Sequence, residues 1–281
     1  MTISFLKMHG LGNDFVVIDA RNKPLDLTVA KVRAIAERRT GIGCDQLIVI
    51  ERPRTAGTAA FMRIRNADGS EVSACGNASR CVAAVLMEEA GTNNIEIETK
   101  AGRLLASRCR DGRISVDMGP ARLDWREIPL STPADTHCLD ITAGPLSGPV
   151  AVSMGNPHAV FFVESVEKIP LAELGPELET HPLFPERTNV EIVQVLAPDR
   201  LRMRVWERGA GITSACGTGA CAALVAAVRR NLTGRRAAVV LDGGVLDIEW
   251  QEDGHVLMTG PAATSFSGRL TPELLTAVAC S

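Results

Sequence analysis

Apolar and polar positions alternate over Ile3-Ser4-Phe5-Leu6-Lys7-Met8, which predicts a half-buried strand. A glycine-rich turn, Gly10-Leu11-Gly12-Asn13, leads into Phe15-Val16-Val17-Ile18-Asp19, a short apolar run suited to a buried strand. Thr28 can cap a helix over 29–39, where Val29, Val32, Ile35 and Ala36 recur at helical spacing and Gly41 and Gly43 stop it. Strands are predicted over 47–51 and 60–64. The segment after Cys75 reads as a helix with almost no polar face before Glu88-Glu89, since Cys81, Val82, Ala84, Val85, Leu86 and Met87 cover it. Three strand-like runs follow at 94–99, 103–109 and 113–118, the last two joined by the hairpin signal Asp111-Gly112.

The second half follows the same plan. Strands are predicted at 149–154 and 159–163 around Gly155-Asn156-Pro157-His158, an outer helix within 164–187, strands at 190–195 and 201–206, and an almost entirely apolar helix at 220–228. A meander at 237–241, 245–249 and 256–258 closes it. The agreement reaches single residues. Met62-Arg63 recurs as Met203-Arg204, Ser73-Ala74-Cys75-Gly76 as Ser214-Ala215-Cys216-Gly217, and Gly119-Pro120 as Gly260-Pro261, each 141 residues apart. That period is too long for a solenoid and marks a duplicated domain. A helix apolar on nearly every side has to be surrounded. The expected fold is therefore α+β (α/β): two pseudo-symmetric domains, each a curved, mostly antiparallel sheet or barrel around a central helix, with the active site in the cleft between them. The boundaries expected are 1–118 and 119–267, with 268–281 packing back on the first domain.

The composition is that of an ordinary globular chain, with 46% hydrophobic and 22% charged residues and a net charge of −3. No basic block stands out, so neither nucleic acid nor a membrane surface is an expected partner. The N-terminus lacks the features of a signal peptide, and no apolar run has transmembrane length. The 8 cysteines are accordingly expected as cytoplasmic thiols. There is no Cys-x-x-Cys pair. Cys75/Cys81 and Cys216/Cys221 are poorly spaced for zinc, so no metal site is expected.

The repeat places Cys75 and Cys216 at the start of the two apolar helices, followed by Gly76-Asn77 and Gly217-Thr218-Gly219. Unsatisfied amides and the helix dipole should lower both thiol pKa values below about 8.5. The same amides can bind a carboxylate. Two such ends facing one substrate would suit stereoinversion beside a carboxylate: one thiolate removes the α-proton and the other thiol returns a proton to the opposite face. The other six cysteines, at 44, 81, 109, 138, 221 and 280, read as small buried hydrophobes. A reversible disulfide between Cys75 and Cys216 is a third possibility. Asn13, Asn66, Asn156, Asn189 and Gln46 stand in glycine-rich or strand-end settings, as turn formers or as polar contacts to a ligand. Asn66 aligns with Glu207. Glu207-Arg208 offers opposite charges to a zwitterionic group, or is an ion pair at a strand end. His158 could tune a thiol or be satisfied within a loop.

Taken together, these segments resemble the diaminopimelate epimerase family. The resemblance runs through His9-Gly10-Leu11-Gly12-Asn13-Asp14-Phe15, Gly41-Ile42-Gly43-Cys44-Asp45-Gln46, Asn66-Ala67-Asp68-Gly69-Ser70-Glu71, Ala74-Cys75-Gly76-Asn77, Gly155-Asn156-Pro157-His158, Arg187-Thr188-Asn189-Val190, Trp206-Glu207-Arg208-Gly209-Ala210-Gly211 and Ala215-Cys216-Gly217-Thr218-Gly219. It implies that Cys75 and Cys216 are the acid/base pair and that His158 and Glu207 modulate them. It implies substrate contacts from Asn13, Gln46, Asn66, Gly76, Asn77, Asn156, Asn189, Glu207, Arg208, Gly217 and Thr218. It also implies interconversion of LL- and meso-2,6-diaminopimelate without pyridoxal phosphate or any other cofactor, in lysine and peptidoglycan synthesis, by a homodimer. Ala78 and Ile212 stand where many members have glycine and glutamate. The alternatives are a cofactor-independent racemase of another amino acid, such as histidine or proline, and a non-catalytic amino-acid-binding protein, which would need neither thiol. A thiol–disulfide oxidoreductase lacks its Cys-x-x-Cys. A pyridoxal enzyme would need a Schiff-base lysine, and none of Lys7, Lys23, Lys31, Lys100 and Lys168 lies in the substrate-contact motifs.

Overall fold

A computed structural model describes residues 3–276. The chain divides into two compact units, Met1–Val116 with Gly260–Ser281, and Asp117–Thr259. The first unit runs β1 (Ile3–Gly10), β2 (Asn13–Asp19), α1 (Val29–Ala36), β3 (Gln46–Glu51), β4 (Ala60–Asn66), β5 (Glu71–Val72), α2 (Gly76–Ala90), β6 (Asn94–Thr99), β7 (Gly102–Arg108) and β8 (Ile114–Pro120). The second runs through a small hairpin, β9 (Thr142–Ala143) and β10 (Leu146–Ser147), then β11 (Val150–Ser153), β12 (Pro157–Phe162), α3 (Leu171–Glu179), β13 (Asn189–Ala197), β14 (Arg200–Glu207), β15 (Gly211–Thr213), α4 (Gly217–Arg229), β16 (Arg236–Leu241), β17 (Gly244–Trp250) and β18 (His255–Gly260). The chain then returns to the first unit as β19 (Ala263–Leu270) and the short α5 (Pro272–Thr276).

The pairings repeat as the sequence does. In the first unit β1–β2 is antiparallel, β2–β3 parallel, β3–β4 and β4–β5 antiparallel, β4–β6 parallel, and β6–β7 and β7–β8 antiparallel. In the second, β11 to β18 repeat that series from β11–β12 through β17–β18. The register agrees too: Phe15 lies opposite Gln46 as His158 lies opposite Asn189.

Each sheet buries one helix on its inner face. In α4, Ala220 through Ala227 are wholly inaccessible, and the helix packs against β11–β14, β16 and β17. The more polar α2 buries Gly76 through Ala83, Leu86 and Met87 and leaves its last turn exposed, ending at Gly91 in the left-handed conformation (φ 63°) that suits glycine. The outer face carries the other helix. Val32 and Ile35 of α1 cover Val16, Ile18, Leu47 and Val49, while Leu171 and Leu178 of α3 cover Ala159, Phe161, Val190 and Ile192. Side chains alternate along a strand, so residues 15, 48, 158 and 191 belong to the inner faces.

The structure corrects two boundaries. The return to the first unit begins at Gly260, not at 268, because β19 pairs antiparallel with β1 from Ala263 opposite His9 to Leu270 opposite Ile3. The helix expected over 29–39 ends at Ala36, with Glu37 already extended (ψ 128°) as its cap. Cys280 and the rest of 277–281 lie outside the described residues.

Gly175, inside α3, shows how closely the outer layer fits. A Cβ there would lie 2.4 Å from Cδ2 of the Trp206 indole, whose Nε1 donates to Glu179 at 2.7 Å. In an open helix Gly→Ala gains roughly 0.5–1 kcal/mol. Here the rigid ring cannot yield, and Gly175→Ala is expected to destabilise by about 1–3 kcal/mol, as overpacking does. The urea midpoint of the variant measures it, and an unchanged or raised midpoint would contradict the packing described.

Candidate functional site

Within each unit, topology brings the polar residues to one end of the sheet. β2 and β3 run parallel and start at Asn13 and Gln46, while antiparallel β4 ends at Asn66, directly opposite Gln46. The first turn of α2 carries Gly76 and Asn77, with Cys75 as its extended N-cap (φ −151°, ψ 110°). The Cys75 thiol lies 3.8 Å from Asn13 Oδ1, which also accepts from Asn77 Nδ2 at 3.3 Å. Gln46 Nε2 donates to Asn66 Oδ1 at 3.0 Å, and Gln46 Oε1 is buried with no hydrogen-bond partner. Cys75 is partly exposed.

Two charged networks hold these amides. Asn13 Nδ2 donates to Asp45 at 2.9 Å, and Asp45 shares Arg38 with Asp14, which also receives Lys7 Nζ at 2.6 Å. Arg80, inaccessible in α2, donates to Asn77 Oδ1 at 2.8 Å and to the Pro261 carbonyl at 3.2 Å. Burial alone would raise the Asp14 pKa. The hydrogen bonds from Arg38, Lys7 and the Asp45 amide outweigh it and hold the carboxyl well below the usual carboxylate range.

The second unit builds the corresponding end from Asn156, before β12, Asn189 at the start of β13, Glu207 at the end of β14, and α4 with Cys216 as its extended N-cap (φ −119°, ψ 111°). Cys216 Sγ accepts from the Gly219 amide at 3.4 Å and lies 3.6 Å from Thr218 Oγ1. The Glu207 carboxylate lies close enough to the thiol to act on it electrostatically, and it accepts from Thr213 Oγ1. Asn156 Nδ2 lies 3.4 Å from Thr218 Oγ1. Asn189 Nδ2 donates to the Pro157 carbonyl at 2.9 Å, and Asn189 Oδ1 accepts from the Arg208 amide at 3.0 Å. The Arg208 guanidinium donates to the Glu186 carbonyl at 2.9 Å, so Glu207 and Arg208 turn to different partners. His158 belongs to β12, not to a loop, and is fully buried. Its Nδ1 is 2.7 Å from Glu191 Oε1, and its Nε2 is 3.0 Å from Asn156 Oδ1.

The helix-terminus argument fails for Cys216. Burial pushes the thiol well above its ordinary pKa, and the nearby Glu207 and Glu191 carboxylates push it further. The Thr218 hydroxyl and the Gly219 amide oppose that shift without overcoming it. Burial likewise raises Glu207. Of the other cysteines, Cys44 and Cys81 are buried, with thiols pushed up to about 11 and about 12 chiefly by desolvation, and Cys221 is buried. Cys138 departs from expectation and is exposed, and Cys109 is partly so. Ala78 is inaccessible within α2, whereas Ile212 is 42% exposed on β15. Residue types had singled out neither Glu191 nor Thr213. Glu191 left one signal, an acid inside the otherwise apolar run 190–193. No group of three or more His, Cys, Asp or Glu among the described residues could hold a metal ion, and no helix among them is long and apolar enough to cross a membrane.

A sequence profile for the family described as diaminopimelate epimerase matches residues 5–123 and 150–265. The chain belongs to the diaminopimelate epimerase family. It is 60% identical over 278 residues to a diaminopimelate epimerase of Rhodospirillum centenum, covering 98% of this chain and 94% of that one. It is 59% identical over 270 residues to that of Phenylobacterium zucineum, covering 95% and 97%. A crystal structure of a hydroxyproline epimerase from Agrobacterium vitis superposes with a TM-score of 0.68 at 18% identity, covering 96% of this chain and 92% of that one, which shows a shared fold.

Two measurements follow from the electrostatics of this family member. Because the folded pKa of Asp14 is depressed, its contribution to stability is present above its unfolded value of about 3.9 and is lost as pH falls below it. Urea midpoints should fall as pH goes from about 5 to about 2, and less steeply in Asp14→Asn; equal slopes would refute the assignment. For Cys216, Glu207→Gln removes a negative charge and should move the pH dependence of its alkylation by iodoacetamide, followed by peptide mass spectrometry, to lower pH. A shift to higher pH would mean that Glu207 does not oppose ionisation of the thiol.

Proposed function

We propose that the chain interconverts LL- and meso-2,6-diaminopimelate without pyridoxal phosphate, with Cys75 and Cys216 as the acid/base pair. The observation that carries this reading is the repeated construction. The same series of strand pairings puts a cysteine at the head of a buried helix twice, each time beside strand ends carrying asparagine or charged groups. Inversion needs a base on one face of the α-carbon and an acid on the other. One thiolate takes the α-proton, the electron pair left on carbon spreads into the carboxylate, and the other thiol supplies a proton to the opposite face. Reversal of the roles runs the reaction backwards.

The helix-heading amides of Gly76 and Asn77, and of Gly217 and Thr218, are suited to the carboxylate on which charge develops. The unpartnered Gln46 Oε1 suits a donor such as an ammonium group, since a buried acceptor is costly to leave unsatisfied. Asn13, Asn66, Asn156, Asn189, Glu207 and Arg208 supply the polar partners that a substrate with two amino-acid ends requires. Glu207, raised by burial and close to the Cys216 thiol, is the group suited to exchange a proton with it. His158 acts on the same thiol through Asn156 and Thr218. With the activity come a cytoplasmic homodimer, two epimerase domains and a product that feeds lysine and peptidoglycan synthesis.

The test is incubation of the reduced protein with LL-diaminopimelate in D₂O, following α-deuterium and the meso isomer. Wild type is expected to form deuterated product, and Cys75→Ala and Cys216→Ala each to lose about 10²- to 10⁴-fold, the usual contribution of a general acid or base. Exchange with a different amino acid only would keep the chemistry and remove the substrate. No exchange with any amino acid would remove the enzyme reading.

A further inference from the structure

The His158–Glu191 pair has no counterpart in the first unit. By register, His158 corresponds to Phe15, and Glu191, two residues beyond Asn189, to Ile48, two beyond Gln46. Phe15 and Ile48 are fully buried, so the fold accepts an apolar pair at these inner positions. The second unit instead buries an imidazole and a carboxylate there, both fully inaccessible. Burying a carboxylate is costly, and apolar replacements of buried ion pairs are often at least as stable. Glu191 Oε2 adds to the cost, being buried with no hydrogen-bond partner. The pair lies close to the helix head that carries the thiol. A Cβ on Gly219 would stand 2.8 Å from Glu191 Oε1 and 3.2 Å from Cys216 Sγ, so glycine there lets the carboxylate approach the first turn of α4.

From Glu191 a line of contacts reaches the thiol: Oε1 to His158 Nδ1 at 2.7 Å, Nε2 to Asn156 at 3.0 Å, Asn156 to Thr218 Oγ1 at 3.4 Å, and Thr218 to Cys216 Sγ at 3.6 Å. With the Asn156 amide as placed, Oδ1 faces His158 Nε2 and Nδ2 donates to the Thr218 hydroxyl. With it reversed, Nδ2 donates to His158 Nε2 and Oδ1 accepts from the Thr218 hydroxyl. In either arrangement the Nδ1 proton goes to Glu191.

We propose that Glu191 is a positioning residue: by accepting the Nδ1 proton it fixes the tautomer and orientation of His158 and so presents Nε2 to the Asn156–Thr218–Cys216 side. Its effect on turnover rests on the two-thiol epimerase reading; its effect on the ring does not. Full-length wild type, Glu191→Val and Glu191→Gln are labelled with ¹⁵N-histidine, and the ring signals are read in long-range ¹H–¹⁵N spectra. The chain has 5 histidines, and His158→Gln identifies the relevant one.

The wild-type ring is expected to carry its proton on Nδ1, Glu191→Val to lose that single tautomer, and Glu191→Gln, whose Oε1 can still accept from Nδ1, to keep it in larger part. In LL-diaminopimelate turnover, Glu191→Val should lose about 10- to 100-fold in kcat with KM little changed, by analogy with removing the partner that orients a metal-bound histidine. Glu191→Gln, which can still accept a hydrogen bond, should lose less. A folded Glu191→Val variant that keeps the Nδ1 tautomer, or a wild-type kcat with only a lowered melting temperature, would overturn the proposal and leave a structural ion pair. If that variant does not fold, Glu191→Leu, closer to glutamate in volume and equally without an acceptor, decides by the same spectra. A wild type that leaves diaminopimelate untouched removes the epimerase reading, while the ring spectra still decide what Glu191 does to His158.

Discussion

A helix with no polar face can exist in water only if a sheet closes around it. α4 meets that condition with strands β11–β14, β16 and β17, and much of the second unit's construction follows from it. Once the body of the helix is enclosed, its polar backbone is available only at the ends. The head of α4 opens at the end of the sheet where β12 and β13 begin and β14 ends. Candidate site residues from three strands therefore meet there although 60 positions separate Asn156 from Cys216. The first unit obeys the same constraint with a less apolar helix.

The constraint also explains which expectations from sequence held. Both enclosed helices and their cysteine N-caps were legible because an apolar run without a polar stripe, preceded by a repeated Ser-Ala-Cys-Gly, admits few other arrangements. The motifs pointed to the family whose profile matches the chain. The return strand β19 was harder to see. Its residues, Ala263 to Leu270, are exposed at most positions and show no regular alternation, and its partner β1 lies at the other end of the chain. Only the end of the repeat at Gly260-Pro261 marked where the chain left the second unit.

The Cys216 thiol shows where residue types mislead. From sequence, a cysteine heading a helix is next to amides and a dipole, both of which favour thiolate. Those groups are present, and the Gly219 amide does lower the pKa. Desolvation by the enclosing sheet outweighs them, and β13 and β14 add carboxylates that no local window around residue 216 contains. Glu191 was missed for the related reason that its partner, His158, is 33 positions away, and only the parallel register of β12 and β13 brings them together.

Duplication gave the two units one topology, and the inner faces then diverged. Phe15 and Ile48 in the first unit face the problem of filling space, whereas His158 and Glu191 in the second introduce a proton donor and its acceptor. The thiols differ in step. Cys75 is partly exposed with its thiol 3.8 Å from the Asn13 amide oxygen; Cys216 is buried, with the Glu207 and Glu191 carboxylates acting on it. Inversion requires this kind of difference at each instant, one group protonated and the other not. Two identical pockets would have no built-in preference for which thiol holds the proton. Under the proposed reaction, the carboxylates around Cys216 would bias it toward its protonated form, and Glu207, itself raised by burial, would be the neighbour to take that proton when the direction reverses.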